Sequence, residues 1–266
     1  MSDAHLGAAP SDREREIVAF LEYARRTAGS VVINGDLFDF WFEWRTVMPR
    51  GHVRVLGALA ALADAGKPLV MIAGNHDAWG GDVLTREIGA QLVHGDWDGE
   101  LAGWRAHIAH GDGLREREDR RYRAFRRVMR HPLAIRAFGA LHPDFATRLA
   151  SGTSTRSRTR RESDGGTGLR AVAHGYLAAH GETELVVFGH SHVAMLERLS
   201  VGGVYANPGA WADRPSYLII RPERIELRAW SGSSEGDLLD AIDRGAKKAL
   251  ANAQEVIGIV RRDEAV

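Results

Sequence analysis

Cysteine is absent from this 266-residue chain, which excludes disulfides, iron–sulfur clusters and thiolate zinc. Any metal must therefore be held by oxygen and imidazole. Also missing is an apolar run approaching twenty residues, so no segment is expected to span a bilayer. The start, Met1-Ser2-Asp3-Ala4-His5, lacks the basic region and apolar stretch of a secretory signal, and a cytoplasmic protein is expected. Net charge is zero, with 35 basic and 35 acidic residues, but the balance is not uniform. Between Arg115 and Arg170 stand fifteen Arg and no Lys against six acids, an excess of nine positive charges. That excess suits either an anionic partner or a solvated helix face with i,i+4 pairs.

Short apolar runs of strand length alternate with segments of helical period, which predicts an α/β fold. Strands are expected at Val31–Asn34, Leu69–Ala73, Ala106–Ala109 and Leu185–Phe188. Val204–Ala206, Tyr217–Ile220 and Arg224–Ala229 follow, pairing antiparallel. Helices are expected at Ser11–Thr27, capped by Ser11 or Asp12, at His52–Ala65, closed by Gly66, and at Gly168–His180. Leu239, Ile242, Ala246, Leu250, Ala253 and Ile257 recur at helical spacing, so Glu235–Val260 reads as an amphipathic helix packed on the body. An insertion separates the third and fourth strands. It contains helical segments Glu118–Arg130 and Leu133–Leu149, split near Pro132, and then a Ser/Thr/Arg/Gly-rich loop, Ser151–Gly168. The chain thus divides into a core (1–114 and 171–230), an Arg-rich helical lid (115–170) and a C-terminal helix (231–266).

Four strands run into polar clusters. Val31-Val32-Ile33-Asn34 leads into Gly35-Asp36-Leu37-Phe38-Asp39, and Val70-Met71-Ile72-Ala73 into Gly74-Asn75-His76-Asp77. His107-Ile108-Ala109 leads into His110-Gly111-Asp112, and Val186-Val187-Phe188 into Gly189-His190-Ser191-His192. Asp3-Ala4-His5 makes a fifth cluster. Taken singly, each has an ordinary explanation as a polar turn, a satisfied core histidine or chance. All five in order, four of them at called strand ends, point together to one crevice rich in hard oxygen and imidazole ligands. Ligands in such folds gather just past the carboxyl ends of strands. An apolar strand is therefore expected upstream of Asp3, and a truncated or misassigned start is the expectation.

This order of motifs (Asp-x-His, Gly-Asp-x-x-Asp, Gly-Asn-His-Asp, His-Gly and Gly-His-x-His) resembles the calcineurin-like metallophosphoesterase superfamily. The resemblance implies two packed mixed β-sheets flanked by helices, with a helical lid inserted. It implies two divalent metal ions, one held by Asp3, His5 and His192 and the other by Asn75, His110 and His190, with Asp36 bridging. His76 is implied as an electrostatic clamp on the scissile phosphate or a proton donor to the leaving group. Mixed Asp/Asn/His ligation suits manganese, the first expectation, with iron or zinc as alternatives. The implied reaction is in-line attack on phosphorus by a metal-bridging hydroxide.

A closer resemblance lies within the superfamily. The stretch from Gly35 to Trp41, His110-Gly111-Asp112-Gly113-Leu114, Gly209-Ala210-Trp211 and Asp119-x-x-Tyr122-x-x-Phe125-Arg126 look like the UDP-2,3-diacylglucosamine diphosphatase family of lipid A synthesis. That family's reaction cleaves the pyrophosphate of a lipid nucleotide to a lipid monophosphate and UMP, with the acyl chains received by the lid. Asn75, Asp119, Tyr122, Arg156 and Arg160 are the implied substrate contacts. One departure is His76, where the best-studied branch has Arg. A basic lid would also favour an anionic membrane surface, placing the protein peripherally on the inner membrane. The alternative is a soluble phosphodiesterase or phosphatase of the same superfamily. Nucleic acid is not expected as a partner, because the Arg-rich stretch lacks the repeated exposed aromatics of a single-strand groove.

Overall fold

The structure, a computed structural model, describes residues 1–116, 118–150, 164–232 and 234–245. Its centre is made of short strands whose two faces enter different layers. In β1 (Val31–Asn34) and β2 (Leu69–Ile72), which pair in parallel, nearly every residue is buried. Side chains alternate across a strand, and the packing follows that alternation. Leu69 and Met71 join a helical layer with Ile17 and Leu21 of α1 (Ser11–Thr27) and Leu59 and Leu62 of α2 (Val53–Asp64), whereas Val70 and Ile72 face a second sheet. A short strand, β3 (Gln91–Val93), completes the first sheet in the order β1-β2-β3. A π-helical turn at Val83–Glu87 precedes it.

The second sheet is mixed, in the order β4-β5-β6-β8-β7. Its strands are β4 (Trp97–Leu101), β5 (Trp104–Ala109), β6 (Leu185–Phe188), β7 (Met195–Arg198) and β8 (Val204–Asn207). The same alternation recurs in β6. Leu185 and Val187 pack toward Val70 and Ile72, while Val186 and Phe188 meet Leu169, Ala173 and Leu177. Those last three lie on α6 (Thr167–Ala179). Two sheets packed face to face with helices outside each is thus the layering that strands buried on both faces require. A third, antiparallel ladder is formed by β9 (Ser216–Arg221), β10 (Arg224–Ala229) and β11 (Asp237–Asp243) in the order β11-β10-β9.

The insertion carries α3 (Arg120–Met129), α4 (Pro132–Gly139) and a further helical stretch over 143–150, here α5. The single helix expected over Leu133–Leu149 is broken at 140–142, ahead of Pro143, whose ring disfavours helical backbone in the residue before it. An aromatic cluster fastens α4 to the body, with Phe138 lying 4.8 Å from Trp79 and 5.1 Å from Phe42 between ring centroids.

Residues 237–243 are a strand, not the start of the amphipathic helix expected over Glu235–Val260; the rest of that expectation, from residue 246, lies outside the described residues. Only Leu239 and Ile242 of the apolar repeat fall inside this stretch, too few to separate a helical period from a strand's. The decision came from the free edge of β10, which β11 pairs from Arg224↔Asp243 to Ala229↔Asp237. Just past the strand, Arg244 Nη2 donates to Glu184 Oε2 at 2.7 Å and to the Gly103 carbonyl at 2.8 Å, and its guanidinium sits 4.8 Å from the Trp104 ring.

A cavity of about 500 Å³ opens between β1 and β9, bordered by Phe20, Ala24, Val32, Leu218 and Ile220. It is mainly apolar and includes none of the metal-ligand candidates, so the chemistry lies elsewhere. Both side chains of the Arg244–Glu184 pair are 5–6 % exposed, so Arg244→Ala removes the cation of a buried ion pair and should cost about 3 kcal/mol. Urea unfolding measures the loss, and hydrogen exchange should quicken over 237–243 ahead of the other strands.

Candidate metal centre

Polar residues converge where the carboxyl ends of β1, β2, β5 and β6 meet. The first six residues reach this point by running beside β1 and the loop after it. The Met1 nitrogen donates to the Val32 carbonyl at 3.2 Å, and Asn34 N to the Met1 carbonyl at 2.9 Å. Further along, Asp3 N bonds Gly35 O (3.1 Å), His5 N bonds Asp36 O (2.9 Å) and Leu6 N bonds Leu37 O (3.0 Å). The opposite side is held by the turn after β8, where Trp211 N and Ala212 N donate to the carbonyls of Ser2 and Asp3 at 3.2 and 3.1 Å. Asp3 and His5 are thus located by two flanking segments.

Six side chains form two groups that approach one another at Asp36. In the first, His192 Nε2 stands 3.3 Å from Asp3 Oδ1 and 3.2 Å from His5 Nε2, while His5 Nε2 is 3.9 Å from Asp36 Oδ2. In the second, His110 Nε2 is 3.2 Å from both Asp36 Oδ2 and His190 Nδ1. The ligand atoms of Asp36, His110 and His190 all lie within 4.8 Å of one another, close enough to hold one ion. The third expected member of this group, Asn75, offers a buried Oδ1 that accepts no hydrogen bond. Asp3 Oδ1 and Asp36 Oδ2 are likewise buried without a hydrogen bond.

These orphaned oxygens fit a pair of divalent cations. An unsatisfied buried polar atom costs about 1–3 kcal/mol and a buried carboxylate more, and the donors are the hard oxygens and imidazoles that manganese, iron or zinc accept. Burial alone would raise the carboxyl pKa values, but the surrounding imidazoles (His192 and His110 at Asp3, His110 and His76 at Asp36) outweigh it and hold both well below the usual range. Burial disfavours protonated His110, yet Asp36 and Asp3 overcome that and push its pKa well above the ordinary histidine value. A cation can relieve the charge that the proton otherwise offsets.

Outer contacts aim the ligands. His110 Nδ1 lies 3.0 Å from the Asn34 carbonyl, which places its proton there and leaves Nε2 for a metal. Asp77, 4 % exposed, accepts from Gly74 N (2.7 Å), Leu37 N (2.8 Å) and Asp36 N (3.3 Å), tying the loops after β1 and β2 together. Burial and the neighbouring Asp36 carboxylate raise its pKa to about 6. Asn207 Nδ2 donates to the Gly189 carbonyl at 2.8 Å and braces the loop of His190 and His192. The sequence reading assigned no role to Asp77 or Asn207; the one signal for Asn207 is its place at a strand end before Pro208-Gly209.

The loops themselves are strained. Asp3, His5, Asp36, His190 and His192 all have positive φ, between 45° and 64°. Among the described residues Ala102 is the one other non-glycine in that region, which disfavours side chains by about 1 kcal/mol or more each. Close approach also dictates two glycines: a Cβ on Gly35 would overlap the His110 ring, and one on Gly74 the Asp36 carboxylate.

His76 sits at the rim, with Nδ1 2.8 Å from the Asp39 carbonyl and Nε2 4.0 Å from Asp36 Oδ2. Tyr122 is brought near the centre by α3, its hydroxyl donating to Asp112 Oδ2 at 2.7 Å. Asp119 is engaged elsewhere, accepting from Arg115 N at 3.0 Å and Arg115 Nη2 at 2.9 Å. Arg156 and Arg160 lie outside the described residues.

Comparison with known proteins points the same way. A family profile described as calcineurin-like phosphoesterase matches residues 1–194. A UDP-2,3-diacylglucosamine hydrolase of Porphyromonas gingivalis is 37 % identical over 72 % of this chain and 81 % of its own length. One from Aeromonas hydrophila is 29 % identical over 86 % of this chain and 97 % of its own. Among solved structures, a conserved protein of Streptococcus pneumoniae aligns over 92 % of this chain and 95 % of its own, at 14 % identity and a TM-score of 0.45.

Titration with Mn²⁺ should show two bound ions in the native protein and neither at full affinity in Asp36→Ala. Asn207→Ala should keep the ligands and weaken binding by about 10–100-fold. Imidazoles must be unprotonated to ligate, so affinity should fall as pH falls. Calorimetry in buffers of different ionisation enthalpy should register proton release on metal uptake.

Proposed function

The chain belongs to the calcineurin-like phosphoesterase family, and from that premise we propose that it cleaves the pyrophosphate of UDP-2,3-diacylglucosamine, giving a lipid monophosphate and UMP. The enzyme class is that of a metal-dependent hydrolase of phosphoester or phosphoanhydride bonds. What supports the substrate assignment is a cluster of Asp and His ligand candidates, with the basic helix α3 tied to the adjoining turn at Asp112, in a chain similar to relatives that bear this substrate's name.

Two bound divalent cations, manganese first among the candidates, supply Lewis acidity and an activated water. The protein's own residues do the rest. Asp36, shared between the two ligand groups, sets their separation. Asn75, whose buried Oδ1 accepts no hydrogen bond, would complete the second ligand set. His76 has Nδ1 tied to the Asp39 carbonyl, which directs Nε2 toward the reacting phosphate, where an imidazolium clamps charge or protonates the departing oxygen.

Helix α3 has two unlike faces. Tyr122, Arg126 and Arg130 turn inward, while Phe125 and Val128 are 56 % and 62 % exposed beside Arg121 and Arg127. Leu133 (67 %), Phe145 (59 %) and Leu149 (50 %) extend this apolar surface over α4 and α5. Apolar side chains interleaved with arginine suit both acyl chains and the headgroup region of an anionic membrane, where each well-placed charge contributes about 1 kcal/mol. The protein is proposed to work as a peripheral enzyme on that surface. Among the described residues no helix is long and apolar enough to cross a membrane.

Metal-stripped protein reloaded with Mn²⁺ should release UMP from UDP-2,3-diacylglucosamine in clear preference to cleaving bis-(p-nitrophenyl) phosphate; turnover of the small diester alone would keep the centre and remove the substrate. His76→Ala should lower kcat by about 10²-fold or more with metal content unchanged. Phe125→Asp together with Val128→Asp should weaken sedimentation with anionic vesicles, and unaltered sedimentation would remove the membrane role from α3.

A further inference from the structure

The turn Gly111-Asp112-Gly113 leaves β5 directly after His110 and is wedged between the metal centre and the lid. On one side, a Cβ on Gly111 (φ 114°) would stand 3.2 Å from His190 Cβ. On the other, a Cβ on Gly113 (φ 80°) would stand 3.3 Å from Arg123 Cγ and 3.5 Å from Tyr122 Cδ1. Asp112 itself is 4 % exposed. Its Oδ2 accepts from the Tyr122 hydroxyl at 2.7 Å and from Arg126 Nη1 at 3.2 Å, and its backbone carbonyl accepts from the same Nη1 at 2.7 Å. Tyr122 and Arg126 are four residues apart, on the inward face of α3. Another tie between α3 and the body, from Trp79 Nε1 to the Met129 carbonyl (3.0 Å), lies at the far end of the helix.

We propose that Asp112 is a positioning residue that latches α3 onto the loop carrying His110, so that one buried carboxylate sets where the lid stands over the reacting phosphate. The latch is read from the geometry alone; its consequence for the lipid nucleotide deepens the function proposed above and rests on it. Charge-assisted bonds from two side chains one helical turn apart fix both the height and the rotation of α3. Because its proton is given to Asp112, the Tyr122 hydroxyl meets substrate only as an acceptor, and its main task is to anchor the lid.

The test uses full-length, Mn²⁺-loaded Asp112→Asn, Tyr122→Phe and the double variant, followed by kinetics, metal content and hydrogen exchange. Tyr122→Phe provides a second route to the latch should Asp112→Asn fold poorly. For UDP-2,3-diacylglucosamine, each single variant should raise KM by about tenfold with kcat nearly unchanged, and the double variant should go no further, as coupled residues do. Asp112→Asn should hydrolyse bis-(p-nitrophenyl) phosphate at a rate within about twofold of native, because that diester needs the metals and not the lid. Amides over 120–129 should exchange faster in both single variants while those of β5 hold. Additive KM effects would overturn the proposal by showing that Tyr122 serves the substrate independently of Asp112. So would equal losses on both substrates with metal depletion, which would assign Asp112 to the metal centre. Unchanged exchange over 120–129 removes the latch whatever the substrate is. If native protein ignores the lipid nucleotide but exchange responds as expected, the latch stands and the substrate assignment falls.

Discussion

Two carboxylates, Asp3 and Asp36, are withdrawn entirely from solvent, and much of the structure is arranged around the charge they carry inside. Two anions in a buried crevice are untenable without compensation. The imidazoles of His5, His110, His190 and His192 surround them, and a proton on His110 offsets part of the charge, yet Asp3 Oδ1, Asp36 Oδ2 and Asn75 Oδ1 remain without hydrogen bonds. Divalent cations resolve this imbalance. The same concentration of ligands explains why five of the seven candidates have left-handed backbone: residues from separate loops can aim at one small volume only through sharp local turns.

Strain of that kind persists only on a rigid support. Here the support is a pair of packed sheets whose strands are buried on both faces, so the loop ends cannot relax without disturbing two layers of core. Outer contacts then bind the loops to one another. Asp77 joins those after β1 and β2, Asn34 Nδ2 reaches the Ala109 carbonyl of β5 at 3.0 Å, and Asn207 braces the loop after β6. Asp112 extends this network outward to α3. Among the described residues, α3 and α4 are attached to the body through Asp112, the Trp79–Met129 bond and an aromatic cluster around Phe138.

The legibility of these features differed for physical reasons. Strands such as Leu69–Ile72 and Leu185–Phe188 were readable because burial on both faces demands an unbroken apolar run. The ligand clusters stood out because few other roles require Asp, Asn and His immediately after such runs, four times in order. The tail misled because its two described repeat members, Leu239 and Ile242, are compatible with a helical spacing. The choice lay with the free edge of β10, which is distant in sequence. Asp3 and His5 are positioned by hydrogen bonds to residues 35–37 and 211–212.

By itself, then, the sequence determined the α/β class, the order of the buried strands and the residue types at the centre. Those follow from hydrophobic period and ligand chemistry, both local properties of the chain. Tertiary structure alone decided that Asp119 is taken by Arg115 and that Tyr122 gives its proton to Asp112. Each of these depends on which polar groups meet once water is excluded. That pairing is set by the packing of whole sheets and helices, which no local pattern encodes.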